Sequence, residues 1–311
     1  MGQHGAVLHV RLVVPPSRAT AVDQLLRDDP TICNLVQLEQ AAHRPVGQVI
    51  LFDAPREAAN RLIAQLKALD LHEHGSIAIT RIDTILSDAA DRAEALAPGD
   101  PGEAVIWEEV EARLGVESRL TPSFVAVMVV AVLLGAVAVL TDSLVLVVGA
   151  MVVGPEFGPL AATTLALHRR RWGTAKRSLA TLVFGFLVAT AAAVVMTLVL
   201  RAVGRIPAAY GDANLQFTAF ISHPDLFTVI VAVLAGAAGM LALTQGKSGA
   251  LVGVLISVTT IPAASNVAVA SALGRWGEAG GAAAQLGANL GCMVVVGLLT
   301  LSIERRIGAD V

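Results

Sequence analysis

One carboxylate, Glu156, interrupts an apolar stretch that is uncharged on both sides from Ser143 to Leu167. It follows Gly154-Pro155 and precedes Phe157-Gly158-Pro159. Gly is conformationally free and Pro lacks a backbone N–H, so these residues break a helix. An ionisable side chain at membrane depth is costly and is therefore a functional candidate by default. Gly154, Glu156 and Gly158 are predicted to bind a substrate or ion, and a proton or metal cation is the expected guest.

The same break is also compatible with a purely structural role. If it lies near the membrane surface, Glu156 is hydrated and only terminates a helix. The residue types do not decide between a buried ion site and a hydrated turn.

A second interruption, late in the chain, carries polar groups without a charge. Its sequence is Thr259-Thr260-Ile261-Pro262-Ala263-Ala264-Ser265-Asn266. Thr259, Thr260, Ser265 and Asn266 suit a cation or a neutral polar solute, or else they satisfy the backbone groups that the proline frees. Asn289, with Gln285 on the same helical face, is added to the predicted binding residues, although interhelical hydrogen bonds are the alternative.

The amino-acid composition indicates which class of protein contains these candidate binding residues. The chain has 311 residues, of which 55% are hydrophobic and 15% charged, and its mean hydropathy is +0.70. Such a chain is too apolar for an ordinary soluble domain and is predicted to be an integral membrane protein. Polar composition ends before Phe124. We therefore expect a cytoplasmic domain over residues 1–85, an acidic linker with an amphipathic helix over 86–120, and a transmembrane domain over 121–311.

The polar part shows alternating strand patterns and two helical patterns. Their order is βαββαβ, which predicts a soluble α+β ferredoxin-like domain with a four-stranded antiparallel sheet. The predicted strands are Ala6–Val14, Thr31–Gln40, Val46–Phe52 and Ser76–Ile82, and the predicted helices are Arg18–Asp29 and Asp53–Leu69.

The apolar part divides into six predicted spans. They are Phe124–Leu140, Ser143–His168, Ser178–Leu200, Leu226–Thr244, Ser248–Leu273 and Ala279–Ile303. Basic residues mark cytoplasmic loops, and they cluster between spans two and three and at Arg305-Arg306. This predicts a multi-pass protein of the cytoplasmic (inner) membrane with both termini in the cytoplasm. In the last span, Gly287 and Gly291 form a GxxxG pair, which predicts close packing against another helix.

The two halves of the apolar part look related. Three identical pairs are 104 residues apart, namely Gly149 and Gly253, Trp172 and Trp276, and Gly173 and Gly277. Because each half has three spans, the second half must be inverted relative to the first. Inverted repeats with broken helices are typical of secondary transporters, whose sites lie at the breaks. The alternative is that Gly and Pro are simply common in membrane helices.

The segment DSLVLVVGAMVVGPEFGPLAATTLAL, followed by a basic patch and another span, resembles the signature of the DUF389 family of uncharacterised bacterial membrane proteins. The resemblance extends over the membrane half, and the soluble domain with its acidic linker is similar to the family's usual companion. It implies the same architecture and brings no established substrate.

The chain lacks a P-loop, a GxSxG elbow, an HExxH motif and any nucleophile with an ordered base, so we expect neither an enzyme nor a cofactor. Three functions remain: an ion- or proton-coupled secondary transporter, a channel, and a membrane sensor or scaffold whose soluble domain binds a ligand or partner. The expected partners are the lipid bilayer, a small solute or cation, and further copies of the chain in a homo-oligomer. Nucleic acid is not expected.

Overall fold

The computed structural model describes residues 7–82, 84–97, 105–207, 210, 226–245 and 260–307. The chain forms two compact units, one ending at Trp107 and one from Glu108 to Ile307. Each unit is described by itself below.

The first unit is built on a four-stranded antiparallel sheet. Its strands lie in the order β2-β3-β1-β4, so that β1 pairs with both β3 and β4. The elements along the chain are β1 (Val7–Val14), α1 (Ala19–Asp28), β2 (Cys33–His43), β3 (Val46–Pro55), α2 (Ala59–Ala68), α3 (Leu71–His74), β4 (Ser76–Ile82) and α4 (Asp88–Leu96).

Alternation along the strands produces the core of this unit. Every second residue of β1 points to the same side of the sheet, and Leu8, Val10, Leu12 and Val14 are all buried there. The apolar faces of α1 and α2 cover that side with Val22, Leu26, Leu62, Ile63 and Leu66.

The helix predicted from Asp53 begins later, and the reason is local. Asp53 lies in β3, where it pairs with His9 at 2.7 Å and accepts a hydrogen bond from Asn34. The strand runs on to Pro55, and α2 begins at Ala59. The prediction that Asp53 opens the helix is therefore wrong, because its carboxylate has partners in the sheet.

The second unit is entirely helical in its described residues. It comprises α5 (Trp107–Glu117), α6 (Pro122–Leu140), α7 (Leu144–Val153), α8 (Phe157–His168), α9 (Trp172–Ala202), α10 (Leu226–Thr244), α11 (Thr260–Ala272) and α12 (Trp276–Ile307). Among the described residues, α6, α9, α10 and α12 are long and apolar enough to cross a membrane.

The helices α7 and α8 together pass the same test but are bent by 53° at the break between them. This geometry fits either one broken span or a re-entrant loop. The predicted fifth span begins at Ser248, outside the described residues, and only α11 is described from it. The structure therefore has several apolar spans, as an integral membrane protein requires, while the count of six stays a prediction.

Two short helices occupy the interior of this unit. Every residue of α8 from Phe157 to Ala166 is buried, and most of α11 is buried as well. The helix α8 packs on α9 and α12, and α11 packs on α12, α9 and α6. The long helices pair as α6 with α9 and α10 with α12. Two short helices, α8 and α11, are thus enclosed by long helices.

Helix boundaries recur at the interval seen in the sequence. The first residues of α6 and α10, and those of α9 and α12, are 104 positions apart, as are the last residues of α8 and α11. The turn after α8 and the turn after α11 also match. Arg170 and Gly274 both have positive φ, and the next residue donates in each case to the carbonyl five residues earlier (Arg171 to Ala166, Arg275 to Ala270).

The GxxxG pair of α12 does not mediate packing in the described chain. A Cβ placed on Gly287 or Gly291 would meet nothing within 4 Å. The prediction of close packing against another helix of the chain is therefore wrong for the described residues.

Candidate functional site

The break at Glu156 follows from the two prolines around it. The helix α7 ends at Val153, and Pro155 cannot donate a hydrogen bond that would continue it. Pro159 is tolerated in the first turn of α8, because the first N–H groups of a helix have no partner within it. Glu156 is the residue before that turn and is only 4% exposed. The structure therefore buries the carboxylate within the protein.

The first residue of α11 supplies the hydrogen bond to this carboxylate. The Oγ1 of Thr260, at the first position of α11, donates to Glu156 Oε1 at 2.7 Å. The other oxygen, Oε2, is buried and has no hydrogen-bond partner among the residues that the structure describes. An ionised buried carboxylate with one bonded oxygen is expensive by several kcal/mol. The arrangement suits either a protonated acid or a carboxylate that shares its site with a cation.

Gly154 allows the carboxylate to fold back over the chain. A Cβ at this position would lie 2.2 Å from Glu156 Oε2 and 2.7 Å from Ile261 Cγ1. Both distances are far shorter than van der Waals contact, so any larger residue here would force the Glu156 carboxylate and the Ile261 side chain to shift. Gly154, Glu156 and Thr260 are thus brought together by the fold.

Ser265 is buried but serves the packing of two helices. Its Oγ lies 2.9 Å from the carbonyl oxygen of Val132 on α6 and 2.8 Å from that of Ile261. Gly135 makes room for it, since a Cβ there would lie 2.2 Å from Ser265 Oγ. These contacts favour the alternative in which this hydroxyl satisfies backbone carbonyls.

The other predicted binding residues have different surroundings. Asn266 and Asn289 are 3% and 2% exposed, so both amides belong to the buried interior of the helical unit. Gly158 faces the end of α5, where a Cβ would lie 2.8 Å from Glu117 Cβ. Thr259 lies outside the described residues.

An arginine-rich turn follows the end of α8 and forms ion pairs with one acidic residue of α5. Glu111 of α5 forms ion pairs with Arg169 and with Arg171, the latter at 2.9 Å. The end of the helical unit that carries His168–Arg171 and the C-terminus of α12 is called the basic end below. The acidic face of α5 is therefore held by the basic turn of the same unit.

The other end of α12 carries a cluster around Tyr210. Arg275 donates to the Tyr210 carbonyl at 2.9 Å, lies over its ring at 4.9 Å, and pairs with Glu278 at 2.6 Å. Burial, with the nearby Glu278 charge, raises the pKa of Tyr210 to about 12. Arg201 caps α11 by donating to the Ala272 carbonyl. These contacts connect helix ends in the described part of the unit.

The structure reveals a second partly buried carboxyl that was not singled out from the sequence. Thr244 Oγ1, at the end of α10, contacts Glu304 Oε1 of α12 at 2.7 Å. Glu304 directly precedes Arg305-Arg306 and follows the last predicted span, so its type and position indicated only a charged helix end. The sequence signal that could have identified Glu304 is an acid placed directly before two arginines at the end of an apolar span.

Residues 151–295 match the model of a known family, described as a domain of unknown function, DUF389. This stretch is similar to the DUF389 family. The match confirms the resemblance seen in the sequence, and it includes Glu156, Thr260, Asn266 and Asn289 but not Glu304. Searches of curated proteins and of solved structures found no match. The DUF389 description assigns no function, so function must be argued from the site.

Proposed function

We propose that the chain is a secondary transporter, coupled to protons or another small cation, whose site lies where the two broken helices meet. The observation that carries this proposal is the buried hydrogen bond from Thr260 to Glu156. It joins the break between α7 and α8 to the start of α11, and within the described residues Glu156 Oε2 is buried without a hydrogen-bond partner. A titratable oxygen enclosed between two broken helices is a suitable place for a proton or cation.

The proposed architecture is six spans in two inverted three-span repeats. It is supported by the matched helix boundaries, by the matched turns after α8 and α11, and by the matched pairing of the long helices. Transporters built in this way bind their substrates near the midplane, at discontinuous helices. Alternating access then arises when one repeat rocks against the other around the fixed site.

The helix dipoles at the break leave the negative charge of an ionised Glu156 uncompensated, which favours binding of a cation. Glu156 lies between the end of α7, which is partially negative, and the start of α8, which is partially positive. The two ends oppose one another, so they do not together neutralise the carboxylate. A proton or a bound cation supplies the missing charge, with the hydroxyl of Thr260 and the amides of Asn266 and Asn289 as further ligands after rearrangement.

The remaining parts of the proposal concern location. The basic end faces the cytoplasm of the cell, the chain lies in the cytoplasmic membrane, and the first unit is a ferredoxin-like domain on the cytoplasmic side. The excess of arginine at the basic end supports this orientation. The sheet order β2-β3-β1-β4 supports the domain assignment.

The test is flux in sealed vesicles of purified full-length protein. A pH-sensitive dye inside the vesicles reports proton movement when Na⁺, K⁺ or Mg²⁺ gradients are imposed in turn. We expect one gradient to drive proton movement in the native protein, and Glu156→Gln to abolish it because the amide cannot bind a proton. Glu73→Gln is the control, since this carboxylate is exposed in the first unit.

Three outcomes would contradict the transporter proposal. Coupled flux that is unchanged in a folded Glu156→Gln protein would make the carboxyl structural. Flux that never moves one ion against its own gradient would indicate a channel, and absence of any flux would favour the sensor or scaffold.

A further inference from the structure

Glu304 and Thr244 form a polar pair at the basic end, away from the break. Thr244 is 1% exposed, and its Oγ1 lies 2.7 Å from Glu304 Oε1. In the described part of the chain, the second carboxyl oxygen, Glu304 Oε2, is buried without a hydrogen-bond partner. The pair thus repeats the arrangement of Thr260 and Glu156, a threonine hydroxyl against one oxygen of an acid, with the other oxygen buried and unpaired.

The hydroxyl of Thr244 has more acceptors than it has hydrogens. Its Oγ1 also lies 3.0 Å from the Met240 carbonyl oxygen and 3.1 Å from that of Leu241. A hydroxyl donates one hydrogen and accepts through its lone pairs. It can donate to an ionised Glu304, or it can turn its hydrogen to the Met240 carbonyl and accept from a protonated Glu304. Both protonation states of the acid are therefore hydrogen-bonded without movement of either helix.

Charged groups follow this pair directly along α12. Arg305 and Arg306 come immediately after Glu304, and both are exposed. His168, at the end of α8, has its Nδ1 3.5 Å from the Oγ of Ser302, two residues before Glu304, and Arg305 lies within electrostatic range of His168. An acid followed by two exposed arginines at a helix end is placed to exchange protons with water at the basic end.

The positions 104 residues earlier carry no such pair. Thr244 corresponds to Leu140, which is 2% exposed, and Glu304 corresponds to Leu200. The equivalent positions of the first half are thus both leucine and cannot form an acid–hydroxyl pair. Such asymmetry is expected of a group that serves one face of the membrane.

The pair is separate from the site at the break. Thr164 of α8 lies against Gly297 of α12. Glu156 precedes Thr164 by eight residues and Glu304 follows Gly297 by seven, so at 1.5 Å per residue the two acids are about 20 Å apart along the helices. A proton cannot pass directly between them.

We propose that Glu304 and Thr244 form a second proton-binding site, which takes up and releases protons at the basic end. The proton arrives from water, binds a carboxylate oxygen of Glu304, and leaves by the same route, so no other bond changes. A part for this site in proton-coupled transport rests on the proposed function. The binding of the proton itself does not.

Infrared difference spectroscopy of the full-length protein in lipid vesicles tests the site directly. A carboxylic acid in a dry environment has a C=O stretching band distinct from that of an acid in water. We expect a pH step to produce such a band in the native protein and Glu304→Gln to remove it. Glu156→Gln, made in parallel, should leave the Glu304 band in place, and Glu73→Gln should alter only the signal of water-exposed acids.

Thr244→Val keeps the acid and removes the hydroxyl, which covers the case in which Glu304→Gln fails to fold. We expect the Glu304 band to shift, because the protonated acid loses its acceptor. A band that neither variant changes would overturn the proposal, as would titration of Glu304 like an exposed acid. If Glu304→Gln removes the band and the native protein shows no flux, the proton-binding site is supported and only the transporter proposal is contradicted.

Discussion

Thr260 and Glu156 are 104 residues apart in the chain, and their side chains share a hydrogen bond of 2.7 Å. The same interval separates the first residues of α6 and α10 and those of α9 and α12. In a molecule made of two repeats, equivalent residues that touch must lie at the axis that relates the repeats. In the proposed two-repeat architecture, the candidate site therefore lies on this axis, where the two halves would move relative to each other.

Gly154→Ala is expected to destabilise the helical unit by about 1–3 kcal/mol through overpacking. The new methyl group would meet Glu156 Oε2 and the Ile261 side chain. Gly149, in the middle of α7, is the matched control because a Cβ there meets nothing within 4 Å. Gly149→Ala should stabilise by about 0.5–1 kcal/mol, as is usual in helix interiors. Thermal unfolding in detergent measures both, and equal effects would contradict the close approach at Gly154.

Gly135→Ala is expected to separate α6 from α11, because its Cβ would lie 2.2 Å from Ser265 Oγ. Removal of that oxygen in Ser265→Ala relieves most of the clash, although Ser265 Cβ remains at 3.0 Å. The two substitutions should therefore be non-additive by about 0.5–3 kcal/mol in a double-mutant cycle. Additive unfolding free energies would show that the two residues do not touch.

Acid is expected to weaken the first unit through Asp29. Burial alone would raise the pKa of this carboxyl, but hydrogen bonds from Arg61 and Thr31 outweigh burial and hold the pKa below its ordinary value. Its stabilising contribution is therefore complete above the unfolded-state pKa of about 3.9 and is lost as the pH falls through the lower folded-state value.

Asp29→Asn should remove about 1.5–3 kcal/mol of that stability at neutral pH, since hydrogen bonds to charged groups are worth this much. Hydrogen exchange of β1 and β3 in the full-length protein measures the loss. The difference from the native protein should shrink in strong acid. Glu39→Gln, an exposed change on β2, is the control, and an equal loss of protection in both variants would contradict the assignment to Asp29.

Cysteine labelling tests the orientation. Lys176 at the start of α9 and Arg205 after its end are both exposed. With Cys33 and Cys292 replaced by alanine, a membrane-impermeant maleimide should label Arg205→Cys in intact cells and Lys176→Cys only after lysis. The reverse pattern would place the basic end outside.

The sequence by itself determined the class of protein and the position of its principal break. Uncharged runs of this length favour a membrane, and Pro155 and Pro159 interrupt a helix wherever it lies. Trp172 and Trp276 are 104 residues apart in the sequence, and the first residues of α9 and α12 are separated by this same interval. Local chemistry was sufficient for these features because each depends on neighbours along the chain.

Tertiary structure decided which polar groups meet. No pattern along the chain specifies that Thr260 donates a hydrogen bond to Glu156, that Ser265 donates one to a backbone carbonyl of α6, or that Thr244 donates one to Glu304. Such contacts depend on how helices cross and on where glycine permits close approach. Asp53 shows the same limit in the sheet, since the partners His9 and Asn34, distant in sequence, held it in a strand. Spacing in the sequence identified the candidate side chains, but the packing of the helices and strands determined which groups they contact.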